Sequence, residues 1–425
     1  MWPWIHLDPA TILLSFETSN EVYFVLREQH SQSTTHSRNK RRSTRLSHGS
    51  DKPVVNVATA ARLIRICKGD RGGLPHVSAD TFATFAKADL LCQASDEEGN
   101  YFFYTQVTSA FWDNSTQRLY AAFTTEKWAP MGSALCVYPK ENIENAFSGP
   151  LLLSNIVGIS RPPSPVPNSF PNICERFNAA NLTAAELSIG RRMSLSFPNR
   201  YNAIEPLYKR AVLMQTGPEW IHLQVYDLPA LPIHYHFGNP VRTTMIWLGT
   251  RNALTRVVLY EAGSSQVVCK LGELHTGQAL NLLAQTIQGN PPSSVNYDPV
   301  EEVRNLKVTL DKLFIATNRQ VLWLPLTDCS RYTTYDDCMA SKDPYCGWSW
   351  PYGQCVNGYA SSMSPNSNWY NTYSPSVDRR RPEITDLFHI VSQLFNIVWI
   401  LNLTYSGSFS LPSATAQIGA PSHVE

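Results

Sequence analysis

Four cysteines, Cys329, Cys338, Cys346 and Cys355, fall within 27 residues, and Gly347 and Trp348 follow the third directly. Thiols at this density bind a metal, pass electrons or form disulfides. Zinc needs paired Cys-x2-Cys or Cys-x2-His knuckles, and the chain has none. Redox Cys-x-x-Cys pairs are absent too. Disulfides are left, and they suit a stretch too small to be held by an apolar core. Disulfides need an oxidising compartment, so the expected location is extracellular, either secreted or tethered to the cell surface. The total of nine cysteines is odd and leaves one over in any fully paired scheme.

Other chemistry is sparse. There is no His-Glu-x-x-His, no Gly-x-Ser-x-Gly and no phosphate-cradling Gly-x-x-x-x-Gly-Lys. His234 and His236 could place two imidazoles on one strand face, but they lack an obvious third ligand. No enzyme, metal or cofactor is therefore expected. Asn114, Asn181 and Asn402 head Asn-x-Ser/Thr sequons. Asn114 lies in an expected hairpin turn and is the favoured glycosylation site; Asn181 is the second candidate and Asn402, in the tail, the weakest. Arg38-Asn39-Lys40-Arg41 matches a convertase pattern with processing after Arg41. The same residues also read as a solvated basic loop that attracts acidic glycans, and that reading is favoured.

The elements that would carry these groups are strands. Hydrophobic residues make up 43% of 425 residues and charged ones only 16%, below the roughly 25% usual for globular chains. The formal charge of +1 gives no global field favouring nucleic acid. Short β-branched and aromatic runs recur at Glu21 to Arg27, Ala134 to Tyr138, Thr244 to Leu248, Thr255 to Tyr260, Lys312 to Ala316 and Gln320 to Leu324. Tyr101 to Val107 and Arg118 to Thr124 are expected to pair about a turn at Asp113 to Gln117. Glu141 to Phe147 reads as a brief helix stopped by Gly149-Pro150. Many short strands imply a sandwich, barrel or propeller. No internal repeat of fixed period is visible, which counts weakly against a propeller.

Loops are expected over the basic stretch 31–50, over 161–171 with its five prolines, and over 289–297. Met1 to Leu14 has no basic n-region, so no signal peptide is expected there. Leu387 to Leu403 is an apolar run of 17 residues interrupted by His389, Gln393 and Asn396. It is short for a membrane span and reads better as an amphipathic segment or a misjoined tail.

With these residues in view, Asp343-Pro344-Tyr345-Cys346-Gly347-Trp348 resembles the signature of the PSI module, in which the Trp packs over the disulfides and the Gly permits a tight turn. Upstream, Cys67-Lys68-Gly69-Asp70-Arg71-Gly72-Gly73, Thr84 to Cys92 and Gly132 to Tyr138 resemble successive strands of the semaphorin family. Ile246 to Thr250 and Leu313 to Thr317 resemble inner strands of its last blades. The resemblance implies an all-β fold: a seven-bladed Sema propeller, here partial with the first blades missing, followed by a PSI module. It implies Cys67–Cys174, Cys92–Cys136, Cys329–Cys346 and Cys338–Cys355 bridges, with Cys269 unpaired and expected to be buried. Family members usually carry a further cysteine where this chain has Tyr335, and its usual downstream partner is absent as well.

The implied organisation is a partial Sema propeller over 1–328, PSI over 329–358 and a linker or tail over 359–425. The implied function is that of an extracellular guidance ligand binding plexin receptors, homodimeric in the full-length protein. A Sema–PSI receptor of the plexin type is an alternative, and a propeller enzyme a more distant one.

Overall fold

The computed structural model describes residues 10–31, 57–70, 82, 84–95, 101–126, 131–149, 151–152, 165–166, 173–176, 203–228, 235–236, 239–240, 242–262, 265–275, 302–309, 312–349, 352–358 and 369–371. The first sheet is an antiparallel meander in chain order: β1 (Ala10–Glu17), β2 (Glu21–Ser31), β3 (Val57–Cys67) and β4 (Ala86–Asp89). A hairpin of β5 (Gln93–Ser95) and β6 (Tyr101–Phe103) leads into the second sheet, which holds β7 (Gln106–Asp113), β8 (Arg118–Thr124) and β9 (Gly132–Pro139). The chain then makes an excursion through α1 (Lys140–Ser148), β10 (Leu151–Leu152), β11 (Pro165–Val166) and α2 (Ile173–Arg176). It returns as β12 (Leu213–Thr216), which joins the open side of β9.

The third sheet runs β13 (His222–Leu228), then β16 (Arg242–Gly249), β17 (Ala253–Ala262) and β18 (Ser265–His275). The small hairpin of β14 (Tyr235–His236) and β15 (Asn239–Pro240) lies between the first two. The fourth sheet has three strands, β19 (Val303–Val308), β20 (Lys312–Thr317) and β21 (Val321–Pro325). Last comes a small module of α3 (Tyr335–Ala340), β22 (Cys346–Ser349), β23 (Gln354–Asn357) and β24 (Trp369–Asn371), in which β22 is central.

The four large sheets stack face to face, and this arrangement explains their composition. On β8, Leu119, Ala121 and Phe123 join the core shared with the first sheet, while Tyr120 and Ala122 join the core shared with the third. On β9, Ala134, Cys136 and Tyr138 face one way and Leu135 and Val137 the other. The third sheet repeats the pattern. Met245, Trp247, Val258 and Tyr260 pack towards the fourth sheet, and Ile246, Leu248, Val257 and Leu259 towards the second. Strands buried on both faces become nearly continuous apolar runs rather than alternating ones. Gly249 sits at a close approach: a Cβ there would lie 3.0 Å from His222 Cβ and 3.2 Å from Leu306 Cδ1.

Two local expectations need correction. The run from Tyr101 to Val107 is not one strand. It breaks at Tyr104, whose N–H bonds to Cys92 O, so that β6 pairs back on β5 and only β7 pairs with β8. Gly347 is not in a tight turn but mid-strand, opposite Val356 and Asn371; the left-handed residue of that hairpin is Gly353, with φ +58°. The short helix is α1, which ends before Gly149 and buries Ile143 and Phe147 against the first two sheets.

Leu135 is wholly buried between the second and third sheets. Leu135→Ala is expected to lower stability by about 2–5 kcal/mol, read as a lower thermal midpoint by circular dichroism.

Candidate functional site

The cysteines come together in four bridges. Cys67, at the end of β3, joins Cys174 in α2, with Cα atoms 5.0 Å apart across 107 residues of sequence. Cys92 joins Cys136 in mid-β9, Cα–Cα 5.8 Å. Closing the 107-residue loop removes about 4–5 kcal/mol worth of unfolded-chain entropy in the chain-entropy model. Beside Cys67, the Asp70 carboxylate accepts from Thr84 N at 2.7 Å and Thr84 Oγ1 at 2.6 Å. Thr84 Oγ1 in turn accepts from Cys67 N at 3.0 Å. The Cys-Lys-x-Asp stretch thus clamps the connection from β3 to β4. Cys269 lies on β18 opposite Val258.

In the small module Cys329 joins Cys346 and Cys338 joins Cys355. Trp348 packs with all four cysteines in one buried cluster. Tyr335 meets the Trp348 ring edge-on, with centroids 5.9 Å apart and planes at 89°. An aromatic contact therefore occupies that part of the module.

Asp343 ties the module to the third sheet. Its Oδ2 accepts from Arg256 Nη2 on β17 at 2.7 Å and from Thr327 Oγ1 at 3.0 Å, while Oδ1 accepts from Tyr345 N at 3.1 Å. Thr327 Oγ1 also lies 3.1 Å from Cys346 Sγ. Arg256 donates a second bond to Leu326 O at 2.6 Å and sits over the Trp247 ring. Tyr260 OH donates to Lys342 O at 3.0 Å, and Tyr345 enters the core between the third and fourth sheets.

The β5–β6 hairpin and the residue just before β9 expose apolar groups. Phe102 and Phe103 on β6 are 45% and 42% exposed, and Met131, just before β9, is 70% exposed. Phe102 meets Tyr104 edge-on at 5.1 Å, and the Tyr104 ring lies beside Gly132.

A family model for the Sema domain matches residues 102–278, and one for the plexin repeat (PSI) matches 328–376. Semaphorin-5B of Mus musculus is 28% identical over 311 residues, 72% of this chain and 25% of that protein. The chain belongs to the semaphorin family. It spans about a quarter of the length of the curated relatives it matches. Drosophila Semaphorin 1a, extracellular domains 1–2, matches in fold at TM-score 0.65 with 20% identity, covering 88% of this semaphorin chain and 67% of its own. A chain of the Drosophila complex of Plexin A with Semaphorin 1b matches at TM-score 0.62 with 19% identity, covering 86% and 64%. The stacked sheets of the semaphorin chain are blades of a Sema propeller, followed by a PSI module.

Several charged groups of this semaphorin fold meet in ways that sequence spacing does not announce. Glu28 on β2, Arg62 on β3 and Lys87 on β4 are all buried, and Glu28 pairs with both cations. Arg62 also pairs with Asp89 at 2.9 Å. Arg118 on β8 reaches Glu261 on β17 at 2.6 Å and so links the second and third blades. Glu126 accepts from Thr59 N and Oγ1, Thr105 Oγ1 and Gln106 Nε2. Burial pushes the Glu126 carboxyl up, but these donated hydrogen bonds outweigh it and hold the group below the usual Glu range. Each of these sets joins residues distant in the chain, brought together by strand register within a blade or by the stacking of one blade on the next.

Asn114 sits exposed in the β7–β8 turn. Asn181, Asn402, Arg41, His234, most of the basic loop and the run 387–403 lie outside the described residues. His236 is on β14, opposite Asn239. Among the described residues no helix is long and apolar enough to cross a membrane.

Arg256 is 16% exposed and Asp343 is 1% exposed. Arg256→Ala removes the cation that faces the buried Asp343 carboxylate and is expected to destabilise the chain by about 3–5 kcal/mol in chemical denaturation. Glu126 has a lowered folded pKa, so its stabilisation is complete above the ordinary Glu range of about 4.3 and is lost as pH falls through the lower folded value. An acid titration followed by tryptophan fluorescence should show a flatter acid limb for Glu126→Gln than for the parent chain.

Proposed function

We propose that this chain is the receptor-facing part of an extracellular semaphorin ligand. It would bind a plexin-type receptor and signal in axon guidance and cell migration. The exposed Phe102 and Phe103 on the β5–β6 hairpin, with Met131 just before β9, are the observation that carries the reading. Large apolar side chains held out of the core beside a bridge, Cys92–Cys136, that ties the start of the hairpin to β9 are the material of binding anchors. A receptor that docks there gains apolar burial without first ordering the ligand.

Support for the partner class comes from the pairing of Sema and PSI and from the fold neighbour that is a complex of Plexin A with Semaphorin 1b. An extracellular site of action, secreted or tethered, fits four cystine bridges. Homodimerisation of the full-length protein, binding of acidic glycans by the 31–50 loop and domain limits at 328 and 358 belong to the same proposal.

Surface plasmon resonance against immobilised plexin ectodomains is the direct test. Saturable binding is expected, weakened at least tenfold by Phe102→Ser combined with Met131→Ser, with an unchanged melting curve. A parent protein that binds no plexin ectodomain would sink the reading.

A further inference from the structure

An open cleft of about 550 Å³ separates the β1–β2 turn of the first blade from the β7–β8 turn of the second. That volume lies within the range of small-molecule sites, roughly 300–1,000 Å³. Its apolar side is made by Leu14 of β1 and Trp112 of β7, whose ring rests on the buried Phe16. Phe16 and Trp112 stack with centroids 4.3 Å apart and planes at 14°. Its polar rim is Glu17, Thr18, Ser19 and Gln117. An apolar wall beside a polar rim matches a pyranose, which presents a face of C–H groups and a girdle of hydroxyls.

Asn114 itself lines this cleft and is exposed. It opens the sequon Asn114-Ser115-Thr116. The turn that presents it is held in one shape. Asp113 Oδ1 accepts from Ser115 N at 3.0 Å and Ser115 Oγ at 2.7 Å, and Oδ2 accepts from Thr116 Oγ1 at 2.7 Å. Gln117 takes the left-handed conformation at φ 54° and donates to Asn114 O at 2.7 Å.

We propose that Asn114 carries an N-linked glycan whose first N-acetylglucosamine lies in this cleft. The transfer forms a bond from Asn114 Nδ2 to the anomeric carbon of a lipid-pyrophosphate-linked oligosaccharide. The anomeric C–O bond breaks, the pyrophosphate leaves with the bonding pair, and Nδ2 loses one proton. The occupant is decided by the tether: a sugar bonded to a lining residue meets the cleft at a high effective concentration that no free ligand matches. The docked sugar touches both turns and braces the first blade against the second. The inference rests on the extracellular part of the proposed function and not on the receptor.

The test is expression of the full chain behind a secretion signal in glycosylating cells. Glycopeptide mass spectrometry is expected to find Asn114 occupied. An endoglycosidase that cuts between the first two N-acetylglucosamines is expected to act at least tenfold more slowly on the native chain than after denaturation. Ser19→Trp, which fills the cleft from an exposed turn, should restore the fast rate. An unmodified Asn114, equal rates before and after denaturation, or protection that survives Ser19→Trp each overturn the proposal. Protected sugar on a chain that binds no plexin would sink the receptor reading and leave this one standing.

Discussion

Everything in this fold depends on sheets that are buried on both faces. A half-exposed sheet needs one partner, whereas the inner strands of the second and third blades need two. Leu119 to Phe123 on β8 and Met245 to Leu248 on β16 each contribute alternate side chains to two different cores. Among the described residues each blade completes the core of its neighbours. Stability then resembles that of repeat proteins, a sum of neighbour interfaces. Polar groups at the junctions must follow the same rule and find partners across them, as Arg118 does with Glu261.

This constraint also decides what could be read in advance. The inner strands were legible because double burial leaves long apolar runs with few interruptions. The β1 strand was not, because Ala10 to Glu17 follows a Pro and mixes apolar with polar residues. The split between β6 and β7 was also hidden, because Tyr101 to Val107 has strand-like residues throughout and only the pairing partner changes. Gly347 misled for a related reason. The resemblance to the PSI signature implies a tight turn there, yet the residue lies mid-strand between two partners. The cystine module was recognisable from its motif, but the role of Asp343 was not. Arg256 is 87 residues away in sequence and reaches it only after the third blade has formed.

Asp343 is one of the groups that fix the small cystine-held module to the large domain. A single carboxylate takes an arginine from β17, a hydroxyl from Thr327 and a backbone N–H from Tyr345. Tyr345 then buries its ring among residues of the third and fourth blades. Charge sets the direction and apolar burial supplies most of the energy. A lysine at position 256 would keep the charge but lose the fork that reaches Asp343 and Leu326 O together.

The two pairs of bridges differ in the order of their ends along the chain. Cys92–Cys136 lies wholly inside the span of Cys67–Cys174, whereas Cys329–Cys346 and Cys338–Cys355 cross each other. A nested pair is favoured during synthesis: when Cys136 emerges, Cys92 is the nearer of the two thiols already exposed and closes the shorter loop, and Cys67 then waits for Cys174. At translation rates of roughly 5–20 residues per second, that wait lasts on the order of seconds. A crossed pair has no such sequence. When Cys346 emerges, both Cys329 and Cys338 are already exposed to it, and the nearer thiol, Cys338, is not its partner. The choice falls to the packing of Trp348 and the shape of the surrounding chain, so of the two this is the pair whose oxidation most needs isomerase correction.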